Sequence, residues 1–508
     1  MDYWIVGLLD KWIVALVQQW SGEVVEWWSG GLLGAVRAGR GLALVTLVAS
    51  LEIALPQFSV AQQLPAASSA TTTAASKSPF EQFLEQDYLL GTWGGLRTKL
   101  SEHGVDFEFL YIASNPHNIS GGIEPASRYQ GAFLMMMDLD SQKLLNYPGG
   151  HLQVAGVSIH GQDHFSDQYI GDLNKVNLID FPQMWRLWQL WYEQKFFDGK
   201  ISIKFGQMTV DQDFILAEYY NSLAALSLWN QTFFYPTLPF NIWTIPGFPG
   251  PLHALASSPY SAPGALLKLN VTDRVYVQGA IYDGYPNQES GTVVKLNDDQ
   301  GALIYGEIGY RVNQRKEDKG PPGNLKLGMY YDTGAYADVT SVFRAQLGQS
   351  APSFHPDNYG FYFLADQTLF MEKGKDDPAQ QGLVGFFRLT GAPSDRNLAQ
   401  FGVDGGLVYK GLIPTRDWDS IALGLSYLEI SDSVSDGQEL INRAAPGTYP
   451  ERADYEAVIE LSYKAQLTAW LTAHVSIERV IHPGGHTLPG NTNPKDCWAF
   501  ILASTIRF

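Results

Sequence analysis

Cys497-Trp498-Ala499-Phe500-Ile501-Leu502-Ala503-Ser504-Thr505-Ile506-Arg507-Phe508, the end of the chain, decides how the rest is read. Successive side chains of a strand point to opposite faces, so Trp498, Phe500, Leu502, Ser504, Ile506 and Phe508 share one face. A soluble β-sandwich has no reason to finish on an exposed aromatic carboxylate. A last strand handed to a barrel-assembly machinery does, and this segment predicts a transmembrane antiparallel β-barrel recognised through Phe508.

The same period-two pattern recurs upstream. In 455–464, Tyr455, Ala457, Ile459, Leu461 and Tyr463 alternate with Glu456, Val458, Glu460, Ser462 and Lys464. One face suits lipid and the other water. Asp106 and Glu108 oppose Val105, Phe107 and Phe109; Ser202 and Lys204 oppose Ile201, Ile203 and Phe205; Arg388 opposes Leu383, Gly385, Phe387 and Leu389. Alternation alone divides about evenly between a sandwich and a membrane barrel, and the chain end breaks the tie.

Composition agrees. The 508 residues include 50 Gly, 26 Tyr, 26 Phe and 14 Trp with only 17% charged residues, which favours many short aromatic strands joined by tight turns over long helices. After residue 80 no apolar run approaches the ~18 residues that a spanning helix needs. The net charge of -18 argues against a nucleic-acid partner, because phosphate neutralisation needs clustered Lys and Arg. The single Cys497 makes no internal disulfide and no multi-thiolate zinc cage.

Arg37 and Arg40 precede the apolar stretch 42–51, and Ser59-Val60-Ala61 offers a small-residue cleavage site before Gln62. Residues 1–61 therefore read as an N-terminal extension and signal peptide, the Trp-rich 1–34 being explained by a start assigned too early. Residues 62–79, rich in Ala, Ser and Thr, read as a flexible linker. Within 80–104, Phe80, Phe83 and Leu84 stand at i, i+3, i+4, and Leu96 to His103 forms a second short helix ended by Gly104. From 105 to 508, at roughly ten residues per strand plus loops, the chain fits about 16 to 18 strands. Turn chemistry is expected at 146–150, Asp198-Gly199 and Asp283-Gly284.

Several blocks resemble the carbohydrate-selective porin (OprB-type) family. They are Leu90-Gly91-Thr92-Trp93-Gly94-Gly95-Leu96-Arg97, 138–145 followed by Pro148-Gly149-Gly150, and Leu190-Trp191-Tyr192-Glu193-Gln194 with Phe197-Asp198-Gly199-Lys200. Phe205-Gly206-Gln207, 405–411, Tyr455-Glu456 with Ile459-Glu460, and His482-Pro483-Gly484-Gly485 complete the set. The resemblance implies a sixteen-stranded outer-membrane barrel that passes glucose and related sugars by facilitated diffusion. The chain departs from the family at Trp229-Asn230-Gln231-Thr232-Phe233-Phe234-Tyr235-Pro236, where a Gly-rich approach is usual, and sugar preference depends on that region.

Between Gln207 and Pro263 the strand pattern fails and aromatics accumulate: Phe214, Tyr219, Tyr220, Trp229, Phe233, Phe234, Tyr235 and Trp243. So long an irregular stretch is usually functional, and it is expected to fold partly into the lumen and narrow it. Aromatic faces beside charged groups bind sugars weakly enough to release them. The constriction candidates are Asp106, Glu108, Glu193, Lys204, Trp229, Arg388, Glu460 and Lys464, with Arg97 and Arg128 as weaker additions. The plain alternative is that any water-filled lumen is lined by charge and that the aromatics merely pack the loop.

No cofactor, metal or catalytic residue is expected. The chain has no Gly-x-Ser-x-Gly elbow and no His-Glu-x-x-His pair, which speaks against a hydrolase. His160, Asp163 and His164 on one short loop give too few ligands for a metal. The partners predicted are small carbohydrates, outer-membrane lipid and the barrel-assembly machinery. A plugged or general barrel is the remaining alternative.

Overall fold

The computed structural model describes residues 78–508 apart from 163, 219–226, 237–255, 285, 287–289, 292–293, 295, 297–300 and 375–378. The expected leader, nearly all of the linker, Asp163, Tyr219, Tyr220 and Trp243 lie outside the described residues.

Sixteen strands form one antiparallel sheet that closes on itself. In chain order they are β1 Val105–Gly122, β2 Gln130–Asp140, β3 Gly150–Gly161, β4 Met184–Phe196, β5 Ile201–Met208, β6 Ala262–Asn270, β7 Val275–Asp283 and β8 Ala302–Val312. The second half comprises β9 Gly323–Asp332, β10 Asn358–Met371, β11 Gly382–Gly391, β12 Ala399–Lys410, β13 Ser420–Ile430, β14 Tyr455–Thr468, β15 Leu471–Ile481 and β16 Lys495–Arg507. Each strand pairs with its sequence neighbour, and β1 pairs with β16 in the register Leu110↔Arg507 to Asn118↔Ala499. Closure leaves the barrel sheet no unpaired edge among the described residues, which is the condition for strands in hydrocarbon, where no water can satisfy a free backbone group.

The alternation read from the sequence is the alternation of the wall. On β14, Ile459 and Leu461 are 42% and 52% exposed while Glu456 and Glu460 are fully buried. On β16, Trp498 and Leu502 face outward, and Cys497, Ala499, Ile501 and Ala503 face inward and are buried. Outward side chains elsewhere are apolar as well: Leu325, Leu327 and Met329 on β9, and Leu423, Leu425 and Tyr427 on β13. No described helix is long and apolar enough to cross a membrane; the strands do so.

The longest connections, 162–183, 209–261, 284–301, 333–357 and 431–454, all lie at one end, while the end that holds the N-terminal helices and Phe508 has only connections of ten residues or fewer. By the rule that barrel turns are short on the periplasmic side, that end is periplasmic. At 197–200, Phe197, Asp198 and Gly199 all take positive φ, a turn that the Asp-Gly pair predicts. Asn146 (φ 53°) and Gly149 (φ 83°) turn the chain between α3 Ser141–Leu145 and β3. Asp283-Gly284 is a correction: β7 ends there, but the connection runs on to Ala302 and is no tight hairpin.

The helical segment packs against the periplasmic mouth. Helix α1 Pro79–Glu85 begins with a capping box, in which Ser78 Oγ accepts from Glu81 N and Glu81 accepts from Ser78 N. Phe83 meets the Trp470 ring at 5.2 Å on the β14–β15 turn. Helix α2 Leu96–Glu102 starts after Gly95, whose left-handed φ of 92° suits glycine, and Gly104 (φ 88°) leads the chain into β1. Arg97 Nη1 donates to Phe508 O at 2.5 Å and Nη2 to Phe107 O, so the helix holds the ends of β1 and β16 together. Two further helices, α4 Val339–Gln346 and α5 Asp432–Ala444, cap the long connections and pack on each other.

Candidate functional site: two loops inside the barrel

Among the described residues, two long connections turn inward. The first, 162–183 between β3 and β4, buries Phe165, Ile170, Val176, Asn177 and Asp180 completely or nearly so. The second, 209–261 between β5 and β6, buries Val210, Asp211, Phe214, Ile215, Leu228, Trp229 and Phe233 in its described parts. Both bury backbone, and buried amides need partners. Inward-facing acids of the wall supply them.

Glu456 on β14 accepts hydrogen bonds from Leu173 N at 2.7 Å, Asn174 N at 2.6 Å and Gly484 N at 2.7 Å. Four residues on, and hence on the same face, Glu460 accepts from Trp229 N at 2.6 Å and Asn230 N at 2.8 Å. One strand thus grips both loops. Glu478 on β15 accepts from Asn230 Nδ2 at 2.8 Å. Within the first loop Asp180 accepts from Phe165 N, Ser166 N and Gln130 Nε2, while Ser114 on β1 donates to Asn177 at 2.9 Å.

The second loop reaches the opposite wall too. Lys204 pairs with Asp213 at 2.8 Å, Gln278 Nε2 donates to Asp213 O, and Glu307 accepts from Ile215 N. Lys326 Nζ donates to Leu216 O and Glu218 at 2.8 and 2.6 Å. Arg388 Nη2 donates to Thr232 O at 2.6 Å and lies 2.7 Å from Asp404. Contacts on β5, β7, β8, β9, β11, β14 and β15 hold the described parts of this loop from both sides of the barrel.

The two loops also bind each other. Trp229 Nε1 donates to Asn177 Oδ1 at 2.6 Å, Gln231 N to Lys175 O at 2.8 Å and Asn230 Nδ2 to Asn174 O at 2.8 Å. Within the first loop Lys175 is held above its ordinary pKa although burial opposes its charge, because Asp180 and Asp167 stand beside it. Burial, reinforced by the charge of Glu456, pushes the Asp172 carboxyl well above the usual carboxylate range.

The sequence-predicted residues do not converge on one spot. Trp229, Arg388 and Glu460 come together around the second loop, and Lys204 secures that loop's start. These four are at most 4% exposed, so they are enclosed by packing and face no open water. These four therefore do not offer free charge to a water-filled constriction: charged side chains in low dielectric stay only where paired or hydrogen-bonded, and the loops complete those bonds. Trp229 packs its ring 4.6 Å from His474.

Glu193 accepts from Ser202 at 2.5 Å and pairs with Lys195 in the periplasmic half. Lys464 sits half-buried at the periplasmic end of β14, opposite Ser420. Asp106 is exposed at the periplasmic mouth, where Glu108 pairs with Arg507 at 2.7 Å and lies 3.9 Å from Arg97. Arg128 packs over Tyr169 of the first loop. His160 stacks on Tyr111, and His164 pairs with Asp167.

Sequence reasoning missed the first inward loop and the anchors Glu456, Glu478, Asp180, Glu307 and Lys326. The signal existed. Between Gly161 and Met184 the alternation lapses for over twenty residues, the same criterion that exposed the second loop.

A closed sixteen-stranded barrel with an apolar outer band and inward-folded loops defines an outer-membrane channel protein, and its homologues are channels and not enzymes. The chain belongs to the carbohydrate-selective porin, OprB family, whose model matches residues 124–501. Porin B of Pseudomonas aeruginosa is 27% identical over 423 residues, covering 78% of this chain and 87% of that protein. A putative porin, QuiX, of Acinetobacter baylyi is 24% identical over 449 residues, covering 84% and 94%. The high-pH structure of Pseudomonas putida OprB superposes with a TM-score of 0.71 at 26% identity, covering 84% of this chain and 99% of that one.

Proposed function

We propose that this porin admits small carbohydrates such as glucose to the periplasm by facilitated diffusion, through a passage bounded by the two inward loops. The observation that carries the reading is the pair of loops anchored by Glu456 and Glu460 from a single strand, within a member of the sugar-porin family. Loops fixed from several walls keep one shape, and a fixed narrow passage sorts solutes by fit. Of the sequence candidates, Trp229, Arg388, Lys204 and Glu460 act by holding the loop that shapes the passage. Asp106, Glu108, Glu193 and Lys464 offer charged groups nearer the periplasmic exit.

The same reading has the chain exported through a signal peptide cleaved after Ala61, recognised by the assembly machinery through β16 and Phe508, and embedded in outer-membrane lipid along its apolar band.

The test is swelling of liposomes carrying refolded protein that starts at Gln62, in iso-osmotic glucose, in larger oligosaccharides and in an uncharged non-sugar of glucose size. Faster entry of glucose than of the matched control supports a sugar channel. Equal rates leave a general porin. The near-complete burial of so many inward charges favours one rival, a plugged lumen, and absence of swelling would establish it.

A further inference from the structure

The block His482-Pro483-Gly484-Gly485-His486 lies at the extracellular rim, on the β15–β16 connection, where the sugar pathway makes no use of its imidazoles. His482 and His486 bring their rings to 4.3 Å, centroid to centroid. Asp454, at the end of the β13–β14 connection, stands between them: His482 Nδ1 is 2.9 Å from Oδ2, and His486 Nδ1 is 3.1 Å from Oδ1. One donor atom from each of the three residues lies within 4.8 Å of the others.

We propose that His482, His486 and Asp454 bind a divalent late first-row transition ion, zinc by preference, that staples the β13–β14 connection to the β15–β16 connection. Ligand atoms around tetrahedral zinc, at bonds of about 2.0–2.1 Å, stand roughly 3.3 Å apart; the two His–Asp separations, 2.9 and 3.1 Å, each to a different carboxylate oxygen, lie close to that value, and all three donors lie within 4.8 Å of one another. Two imidazoles and one carboxylate are the donor set such ions take, and His-x3-His is a zinc-site spacing.

Three further observations point to an ion and not to a plain hydrogen-bonded cluster. The buried His482 Nδ1 approaches Asp454 without the alignment of a hydrogen bond. Glu451 sits 3.6 Å from His486 Nε2, on the far side of the ring from Asp454; a proton held there leaves the Nδ1 lone pair for a ligand. His482, Gly484, Gly485 and His486 all have positive φ, at 50°, 74°, 59° and 58°. Two histidines in the left-handed region store strain to face the same way, a feature that accumulates at functional sites.

The scaffold is stiff. Gly484 N donates to Glu456, His482 N to Asp496 at 2.9 Å, Gln438 Nε2 to His486 O at 2.9 Å and Asp454 N to Gly485 O at 3.2 Å. The side chains of His482, His486 and Asp454 are 29%, 15% and 37% exposed, so an ion has access from outside and keeps a position for water.

The test is titration of the refolded, lipopolysaccharide-free full-length barrel with Co2+, followed by its visible absorption bands, and then competition with Zn2+. One equivalent of Co2+ giving nitrogen-and-oxygen ligand bands, displaced by Zn2+, is the expected result. His486→Gln and Asp454→Asn should each weaken binding at least tenfold, in line with the loss of a ligand or its orienting partner. Unheated electrophoretic mobility establishes that each variant keeps the closed barrel. No saturable Co2+ binding by the unsubstituted protein would overturn the proposal, and so would binding undiminished in either folded variant.

Discussion

At the scale of single residues, the inward acids do structural chemistry for the loops. Replacing Glu460 by Ala removes the acceptor of two buried amides, Trp229 N and Asn230 N, at a cost of about 1.5–3 kcal/mol per charge-assisted bond. The expected outcome is a loosened second loop, seen as faster chymotrypsin cleavage at the aromatic residues within 209–261 and raised single-channel conductance in planar bilayers. Arg388→Ala leaves Asp404 buried without its partner, and such an uncompensated charge costs about 3–5 kcal/mol. A lowered urea midpoint checks it, and the Arg388→Ala/Asp404→Ala pair should recover part of the loss. The positions of these residues were legible in the sequence, because period two assigns Arg388 and Glu460 to the inner face. Their partners were not, since those partners come from loops with no period, and only the folded chain brings Thr232 to Arg388 across 156 residues.

At the scale of elements, each strand reads one face to lipid and one to the interior. Leu425 is 52% exposed in the middle of β13, where an Arg on the lipid face costs about 2–4 kcal/mol near the bilayer midplane. Leu425→Arg should therefore cut refolding yield into vesicles sharply, while the same change at the exposed periplasmic Leu412, in the β12–β13 turn, should leave it nearly unchanged. The strand elements and the short helices were legible because alternation, capping residues and the Asp-Gly turn are local signals. Tyr455–Lys464 extends only four residues further as β14, and Ile201–Phe205 three further as β5. The 162–183 loop was not legible as an inner element: Phe165, Ile170 and Val176 carry no pattern that separates a loop buried in the lumen from one lying on the rim.

At the scale of the molecule, the barrel and its contents form one system, because β14 holds both inner loops and the loops hold each other. Glu456 fixes the first loop and Glu460 the second, and three hydrogen bonds join them at Trp229–Asn177, Gln231–Lys175 and Asn230–Asn174. Groups that share a network couple by about 0.5–3 kcal/mol, whereas independent sites add. If Glu456→Ala alone displaces the first loop, the second loses those three bonds and part of the effect of Glu460→Ala has already occurred. The double variant Glu456→Ala/Glu460→Ala should then destabilise the barrel by less than the sum of the single changes, measured from urea midpoints in the same lipid. Glucose swelling rates read the same cycle in the passage itself: each single variant widens it, and the double adds less than a second full increment. Strictly additive energies and rates would mean that the loops are seated separately on the wall, and that each shapes the passage independently of the other.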